Sequence, residues 1–570
     1  MNDVPLAVGT LAFGVALCFA LLPALSGVGG SVWNRLKSPV AFFASCAVAL
    51  VALRWQAVLL HAPLNPDEAQ MLAQAITLHH YPIPWKDYDG TTSGPLNSMV
   101  LLVPLALGFG PDYASARIVG LLLVLGSLAA LYVTIRSFYG DFTARVGVLL
   151  PFAFLAPTWE SDYVHYSSEL LPLFFTTLAA AALARMWTAP PPKGGLAFFC
   201  GFLLGLVPLC KLQAVPLALV LFVFAVVAIA RRLTRAARFG VLARFIAGSA
   251  SPLLAIGLFL VLTGTWHDFL ISYILEPLAY GSGRHPGFPV ERAHVTLDFE
   301  VFRGYALIEF AVAFAGWIVV RFSGKQASPR AGELVAVCAA FSVALAAAYA
   351  IEQPRMRSPH YLLFAVMPIA ATSACMLGVW YDAASRKALP RAAKAAHIAM
   401  AVLALCGAVS LFSLRLVRAQ AYDAQLQALG EAAQGPVAQM LLRHIRPGER
   451  VAIWGWSPEY FVLTNSILGT RDSISHFQMF GVKYRAYYRA RYLADLARNQ
   501  PPFFIDAMSP HVAFPMFDDW RAHRHESFAQ LASYVAAHYH LSEERSGVRL
   551  YARDAGASGA LAQPPLAQAR

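Results

Sequence analysis

Between His61 and Pro95 the chain reads HAPLNPDEAQMLAQAITLHHYPIPWKDYDGTTSGP, a polar, turn-rich interval between long apolar stretches. Asp67 and Glu68 stand side by side after Asn65-Pro66, and Trp85, Lys86, Asp87, Tyr88 and Asp89 follow. Pro66 suits the first position of a helix, where no N–H donor is needed. Two acids in the next positions are favoured there by the helix dipole, so one reading is a helix N-terminus. The other is chemical. An ionised carboxylate close to hydrocarbon is costly unless it is paired or solvated, and such acids are candidates for proton transfer or for binding a polar substrate.

Three further clusters offer complementary chemistry. Trp159-Glu-Ser-Asp162-Tyr-Val-His165-Tyr-Ser-Ser-Glu169 joins acids to a histidine, with His165 and Glu169 at a spacing that shares a face if helical. A histidine with acids can ligate a divalent metal, set against ordinary loop solvation. Lys211 is the one cation in Cys210-Lys-Leu-Gln213-Ala-Val-Pro216, a short turn between apolar segments. It either snorkels to the interface or meets an anion such as a lipid phosphate. Arg355-Met-Arg357-Ser-Pro-His360-Tyr361 sets two guanidiniums, an imidazole and a phenol together, groups suited to a phosphate; exposed loop arginines are the plainer reading.

The surrounding elements must place these groups relative to a membrane. Of 570 residues, 58% are hydrophobic and only 13% charged, too apolar for a soluble chain of this length. The sequence therefore reads as a polytopic α-helical membrane protein. Spans are expected near 5–27, 38–60, 113–135, 146–160, 169–187, 196–210, 213–230, 245–264, 302–320, 331–350, 360–380 and 395–415, about twelve in all. The segment 96–110 is apolar but short, and is expected at the interface or re-entering the bilayer. The first apolar run lacks a basic leader and a cleavage site, so it reads as a retained helix. The seven cysteines form no CxxC and mark neither a metal knuckle nor a disulfide framework.

Lys and Arg collect in alternate loops: Arg35 and Lys37; Arg136 and Arg145; Arg185 and Lys193; Arg231 to Arg244; Arg321 to Arg330; Arg386 to Lys394. These are the expected cytoplasmic loops, and they account for most of the net charge of +12 without nucleic acid. The clusters above then share the opposite, outer face, on loops 61–112 and 265–301 and the shorter turns. After residue 415 the composition changes. Strands at Arg450–Trp456, Phe503–Ala507 and Val548–Ala552, a cap at Ser457-Pro458-Glu459 and an amphipathic helix at Glu526–His540 point to an outer α/β domain over 416–553. A Gly/Ala/Pro tail, 554–570, is expected to be disordered.

In this order and sidedness the motifs resemble those of the GT-C superfamily of membrane glycosyltransferases, in the branch of the protein O-mannosyltransferases and the lipid A aminoarabinose transferase. Pro66-Asp67-Glu68-Ala69 stands where that branch carries an acidic motif after an early helix. Asp162 or Glu169 matches its second acid, Lys211 its lysine, and Pro359-His360-Tyr361-Leu362-Leu363 its basic turn opening a late helix. The similarity spans roughly residues 38–380. Ser93-Gly94-Pro95 replaces the Glu-Lys-Pro of the aminoarabinose enzymes, and Ser167-Ser168-Glu169 stands in place of an Asp-Pro, which leaves sugar, acceptor and metal open.

The resemblance implies a transmembrane catalytic domain over 38–415, preceded by an extra helix and cytoplasmic loop over 1–37. It implies an inner-membrane enzyme with its N-terminus and C-terminal domain in the periplasm, moving a sugar from a polyprenyl-phosphate lipid to an unidentified periplasmic acceptor. Asp67 would be the general base, with Glu68 and Glu169 beside it. Lys211, Arg355, Arg357, His360 and Tyr361 would hold the donor phosphate, and Trp85, Lys86, Asp87, Asp89, Asp162, His165 and Gln213 the sugar or acceptor. No cofactor is demanded, and a divalent metal is an open option. The competing class is a secondary transporter or lipid flippase, which calls for charges in mid-bilayer and repeated broken helices. Neither stands out, because most charges lie at helix ends.

Overall fold

The computed structural model describes residues 3–21, 38–158, 160–188, 193–281, 297–322, 330–353, 358–386, 392–421, 423–480, 483–510 and 519–555. Arg355, Arg357 and nearly all of the expected tail lie outside the described residues.

Each of the twelve expected spans falls on a helix. In chain order these elements are α1 (Asp3–Leu21), α2 (Pro39–Leu59), the short outer helix α3 (Pro66–His80), α4 (Tyr113–Tyr139), α5 (Asp141–Leu155), α6 (Leu170–Thr188), α7 (Gly194–Cys210), α8 (Val215–Arg232), α9 (Arg235–Thr263), α10 (Leu297–Phe322), α11 (Ala331–Glu352), α12 (Leu363–Arg386) and α13 (Ala392–Ala421). Among the described residues eight helices are long and apolar enough to cross a membrane, so the full twelve are not all met by length and composition. Two of the remainder are short for physical reasons. α5 has 15 residues and lies almost wholly buried among its neighbours, so it need not match the bilayer thickness by itself. α7 has 17 residues and packs tightly on α9 through glycines: a Cβ on Gly201 would meet the Phe245 carbonyl oxygen at 2.1 Å. Such small-residue seams let helices associate where hydrocarbon offers no hydrophobic drive.

The expected interfacial segment forms two short helical turns, Pro95–Met99 and Leu102–Ala106, followed by exposed Leu107 and Phe109. The loop after α9, expected on the outer face, carries a turn of π-helix at Leu270–Leu275.

Beyond α13 the domain expected on the outer face is α14 (Pro436–His444), β1 (Arg450–Trp454), α15 (Glu459–Thr464), β2 (Ile467–Leu468), α16 (Arg485–Asn499), β3 (Phe503–Asp506), α17 (Ala529–His538), β4 (Tyr539–Arg545) and β5 (Val548–Arg553). The sheet order is β2-β1-β3-β5-β4, with β1 parallel to β2 and β3, and β5 antiparallel to β3 and β4. The three strands read from sequence are present. The helix expected to reach His540 stops at His538, because the chain turns there into the edge strand β4. That strand alternates only weakly and is mostly charged and exposed, which suits an edge but hides it from a hydrophobic pattern.

Candidate active site

The site begins at the N-terminus of α3. Asn65 caps the helix by accepting the Asp67 N–H at 2.9 Å, and Pro66 occupies the first position. Adjacent helical residues point about 100° apart, so the two acids part company. Glu68 turns inward and is fully buried. It takes Arg117 Nε at 2.9 Å and Nη2 at 2.5 Å, and accepts the backbone N–H groups of Leu64 and Tyr166 at 3.2 and 3.1 Å. Arg117 also donates to the carbonyls of Ala57, Leu60 and Ala62. Glu68 is thus a structural clasp joining α2, α3 and the 158–169 loop, and the expectation of a catalytic role for it is corrected: both oxygens are already engaged. Asp67 remains half-buried, and its carboxylate makes no hydrogen bond or ion pair with a described residue.

The loop before α6 delivers the second group. Asp162 Oδ1 accepts from Asn65 Nδ2 at 3.1 Å and meets His360 Nδ1 at 2.9 Å. His165 turns Nδ1 to the Ser161 carbonyl at 2.6 Å, while its buried Nε2 has no hydrogen-bond partner among the described residues. Its ring lies edge-on to His360 at 5.8 Å. Burial works against ionisation of Asp162, but the hydrogen bond and charge of His360, then His165 and Asn65, outweigh it and hold the carboxyl below its ordinary range.

Glu169 and Lys211 form the third group. The ammonium pairs directly with Glu169, donates to Ser168 Oγ at 2.8 Å and sits 5.0 Å from the centre of the Tyr361 ring. Ser167 Oγ donates to Glu169 at 2.5 Å. Burial alone would raise the Glu169 carboxyl; Lys211, then His360, and the hydrogen bonds from Lys211 and Ser167 bring it down to about 2. Lys211 caps α7 in an extended conformation, and the turn before it is braced from outside. Cys210 O accepts Gly94 N–H at 2.7 Å and Asn97 Nδ2 at 2.8 Å, and Pro208 O accepts Tyr273 Oη at 2.7 Å. His360 and Tyr361 arrive on a 3-10 turn begun by Pro359. The His360 imidazole lies in electrostatic range of Glu169, Asp162 and Asp67, which ties the three groups into one cluster.

Other expected site residues are placed elsewhere. Trp85 is buried at φ 62° against Phe269 and Tyr273, with its carbonyl held by Arg471 at 2.6 Å. Asp87 accepts the Ile83 N–H within its own turn, and Lys86 is exposed. Asp89 is buried against Arg491 at 2.7 Å. Trp85 and Asp89 thus meet the C-terminal domain through Arg471 and Arg491, while Asp87 stays within its turn and Lys86 faces outward. Gln213 likewise spends its amide on the Ala350 carbonyl at 2.7 Å.

Sequence reasoning missed Arg54, Arg117 and Arg415, each almost fully buried. Arg415 pairs with Glu160 and donates to the Phe154 carbonyl, while Arg54 donates to the carbonyls of Leu155 and Tyr163. All three lie inside or at the edge of apolar spans, and an arginine there is the available signal.

Groups at the mouth able to ligate a divalent cation are Asp67, Asp162 and His165 through Nε2. Among the described residues, three such ligand atoms gather within 4.8 Å only at Asp506, His525 and Glu526 in the outer domain. There His525 is committed to Asp506 at 2.6 Å and Glu526 to Arg549 at 2.7 Å, an ion-pair network.

ArnT from Cupriavidus metallidurans, in a structure bound to undecaprenyl phosphate, matches over 92% of this chain and 99% of its own, with 16% identity and a TM-score of 0.53. The chain has the GT-C fold. The oligosaccharyltransferase AglB from Archaeoglobus fulgidus, in a complex with an inhibitory peptide and a dolichol-phosphate, aligns more loosely, over 90% of this chain and 74% of its own, with 12% identity and a TM-score of 0.44. No family model and no curated protein matches the sequence. Within this fold the cluster of Asp67, Asp162, His360, Glu169 and Lys211 lies where the starts of α3, α6 and α12 meet the end of α7.

Proposed function

We propose that the protein transfers a sugar from a polyprenyl-phosphate-linked donor to an acceptor hydroxyl at the non-cytosolic face of the membrane. The observation carrying this reading is Asp67. It is the acid of the cluster left without a partner among described residues, and it stands in electrostatic range of His360, a group that with Lys211 and Tyr361 is suited to a phosphate.

Asp67 takes the proton of the acceptor hydroxyl as the acceptor oxygen attacks the anomeric carbon. The bond from that carbon to the phosphate oxygen breaks on the opposite face, so the configuration inverts and the lipid phosphate departs. Lys211, Tyr361 and His360 meet that phosphate, with Arg355 and Arg357 supplying further positive charge as it leaves. Asp162 and His165 Nε2 face the sugar. The apolar turns of 95–106 flank the isoprenoid near its headgroup, and the outer domain roofs the acceptor. The basic loops on the opposite side orient the site away from the cytosol.

The test is Asp67→Asn in the full-length protein, reconstituted in lipid with a polyprenyl-phosphate sugar. A positioned base contributes roughly 10²–10⁴ in rate, so kcat falls by that factor at normal abundance. Transfer at the wild-type rate by Asp67→Asn removes Asp67 as the base.

A further inference from the structure

Two arginines from helices far apart in the chain meet at the loop that bears Asp162. Arg54 of α2 donates Nε to the Leu155 carbonyl at 2.9 Å and Nη1 to the Tyr163 carbonyl at 3.0 Å, so one guanidinium joins the end of α5 to the far side of the loop. Arg415 of α13 donates Nε to the Phe154 carbonyl at 3.1 Å and pairs through Nη1 with Glu160. Its guanidinium lies over the rings of Phe154 and Tyr163, at 4.3 and 5.1 Å from their centres. Glu160 is in electrostatic range of Arg54 as well, and all three side chains are buried.

Part of this arrangement is ordinary capping. The last carbonyls of a helix lack an intrahelical donor, and those of Phe154 and Leu155 end α5 inside the protein. Stability alone does not account for the rest. Two cations stand around one carboxylate, and Arg415 Nη2 is buried with no hydrogen-bond partner among the described residues. Apolar side chains of similar volume would join α2, α5 and α13 at least as well, because a buried ion pair repays its desolvation poorly. What they cannot do is fix a polar loop in one place through its backbone at Tyr163 and its side chain at Glu160.

Asp162 stands between those two points of attachment. Its Oδ1 meets His360 Nδ1 at 2.9 Å and accepts from Asn65 at 3.1 Å, and Asn65 in turn accepts the Asp67 N–H at 2.9 Å. From Asp162, two hydrogen bonds lead to the backbone of Asp67. An apolar contact braces the same loop: in the helix Asp423–Ala432 that follows α13, Leu426 is buried with Ala57, Leu64 and Val164, beside Asn65 and the loop.

We infer that Arg54 and Arg415, with Glu160, are positioning residues that set the place of Asp162 and, through Asn65, of Asp67. The inference rests on the site proposed above, and it makes α13 a required part of that site although α13 gives no group to the cluster. A displacement of about 1 Å at such a group costs roughly a hundredfold in rate.

The experiment compares full-length wild type, Arg415→Met and Arg415→Met/Glu160→Met, each reconstituted with a polyprenyl-phosphate sugar. The single variant strands a buried carboxylate and melts lower. In the double variant one charge of each sign is gone, and the melting temperature returns toward wild type, whereas kcat stays roughly a hundredfold down and donor KM changes little. Adding Asp162→Asn to the double variant lowers kcat no further than the larger of the two separate losses, because Arg415 acts through that acid. Hydrogen exchange in the double variant rises in 160–168 and 61–68 and keeps its wild-type level in the strands of the C-terminal domain. Arg415→Lys, which keeps a cation beside Glu160 but replaces the planar fork by a single ammonium, gives the same exchange pattern and serves where the double variant does not fold. Recovery of kcat together with the melting temperature, losses that multiply with Asp162→Asn, or exchange at the wild-type rate around Asp162 overturns the inference. The exchange measurement needs no sugar transfer, so its result is separate from that of the Asp67 experiment.

Discussion

Replacing Glu169 by glutamine separates a counter-ion from a catalyst. The substitution keeps the volume and a hydrogen-bonding end for Ser167 and Ser168, but removes the charge that faces the Lys211 ammonium. The magnitude follows from the carboxyl itself. Its value falls from 4.5 to about 2 in the folded protein. At about 1.4 kcal/mol per unit this corresponds to about 3 kcal/mol of stabilisation, within the roughly 3–5 kcal/mol lost when one partner of a buried pair is removed. Because the folded value is the lower one, the stabilisation is fully present above the unfolded value near 4.5 and is lost as pH falls toward 2. Thermal unfolding of wild type and Glu169→Gln between pH 3 and pH 7 reads this directly. The variant melts lower at neutral pH, and the gap narrows below about pH 4.5. Donor KM in the variant rises, since an ammonium without its counter-charge is no longer held toward the phosphate, while kcat changes little. If Glu169→Gln melts with the wild type across the range, or keeps its stability and loses kcat by roughly the 10²–10⁴ of an acid–base catalyst, the counter-ion account is wrong.

Four other outcomes follow from the geometry. Arg117→Ala strands the buried Glu68 carboxylate and lowers stability by roughly 3–5 kcal/mol, read by denaturation, whereas Asp67→Asn leaves the melting temperature near wild type. Gly94→Ala places a Cβ 2.1 Å from the Leu209 carbonyl oxygen and displaces the turn carrying Lys211; donor KM rises more than kcat falls. Arg491→Ala unfastens Asp89, Ser272 and Asp472 at once, and hydrogen exchange speeds up in 84–91 and 270–275 while the α6 backbone keeps its protection. His360→Gln removes the imidazole from Asp162, whose carboxyl returns toward its ordinary value, so the acid limb of the pH–rate profile moves up.

Much of the architecture was legible because hydrocarbon imposes simple rules: the expected apolar runs fall on helices, eight of them long and apolar enough to cross a membrane among the described residues, and the loops without basic clusters carry the acids. The motif clusters at Asp67, Asp162, Lys211 and His360 converged as their shared sidedness implied. What the sequence hid depends on partners far along the chain. Nothing near Asp89 announces that it meets Arg491, 402 residues later, and the same polar run that looked like a sugar pocket is an inter-domain seam. Glu68 was misread for a different reason. In the linear chain it is equivalent to Asp67, and only helical rotation sends it to Arg117. The three buried arginines were visible as charges inside apolar spans, but twelve spans with cations at many ends made them look ordinary.

A lysine already paired with a glutamate looks poorly prepared for a phosphate, yet the pairing follows from where it sits. An ammonium buried in an apolar turn without a counter-charge sheds its proton or moves to water, and either would leave nothing to greet the donor. Glu169 supplies that counter-charge, and Ser168 and the Tyr361 ring fix the direction of Lys211. The arriving phosphate then brings two negative charges or one against a pair whose net charge is zero. The ion pair alone therefore orients the phosphate without neutralising it, and neutralisation falls to cations from elsewhere. The proposed function gives that part to Arg355 and Arg357, five and three residues before His360 in the sequence. Removing both arginines should then weaken donor binding more than Lys211→Gln does, since the lysine's charge is half spent within the protein. Titration of each variant with a polyprenyl phosphate lacking sugar measures the two losses separately, and a larger loss from Lys211→Gln would reverse the assignment.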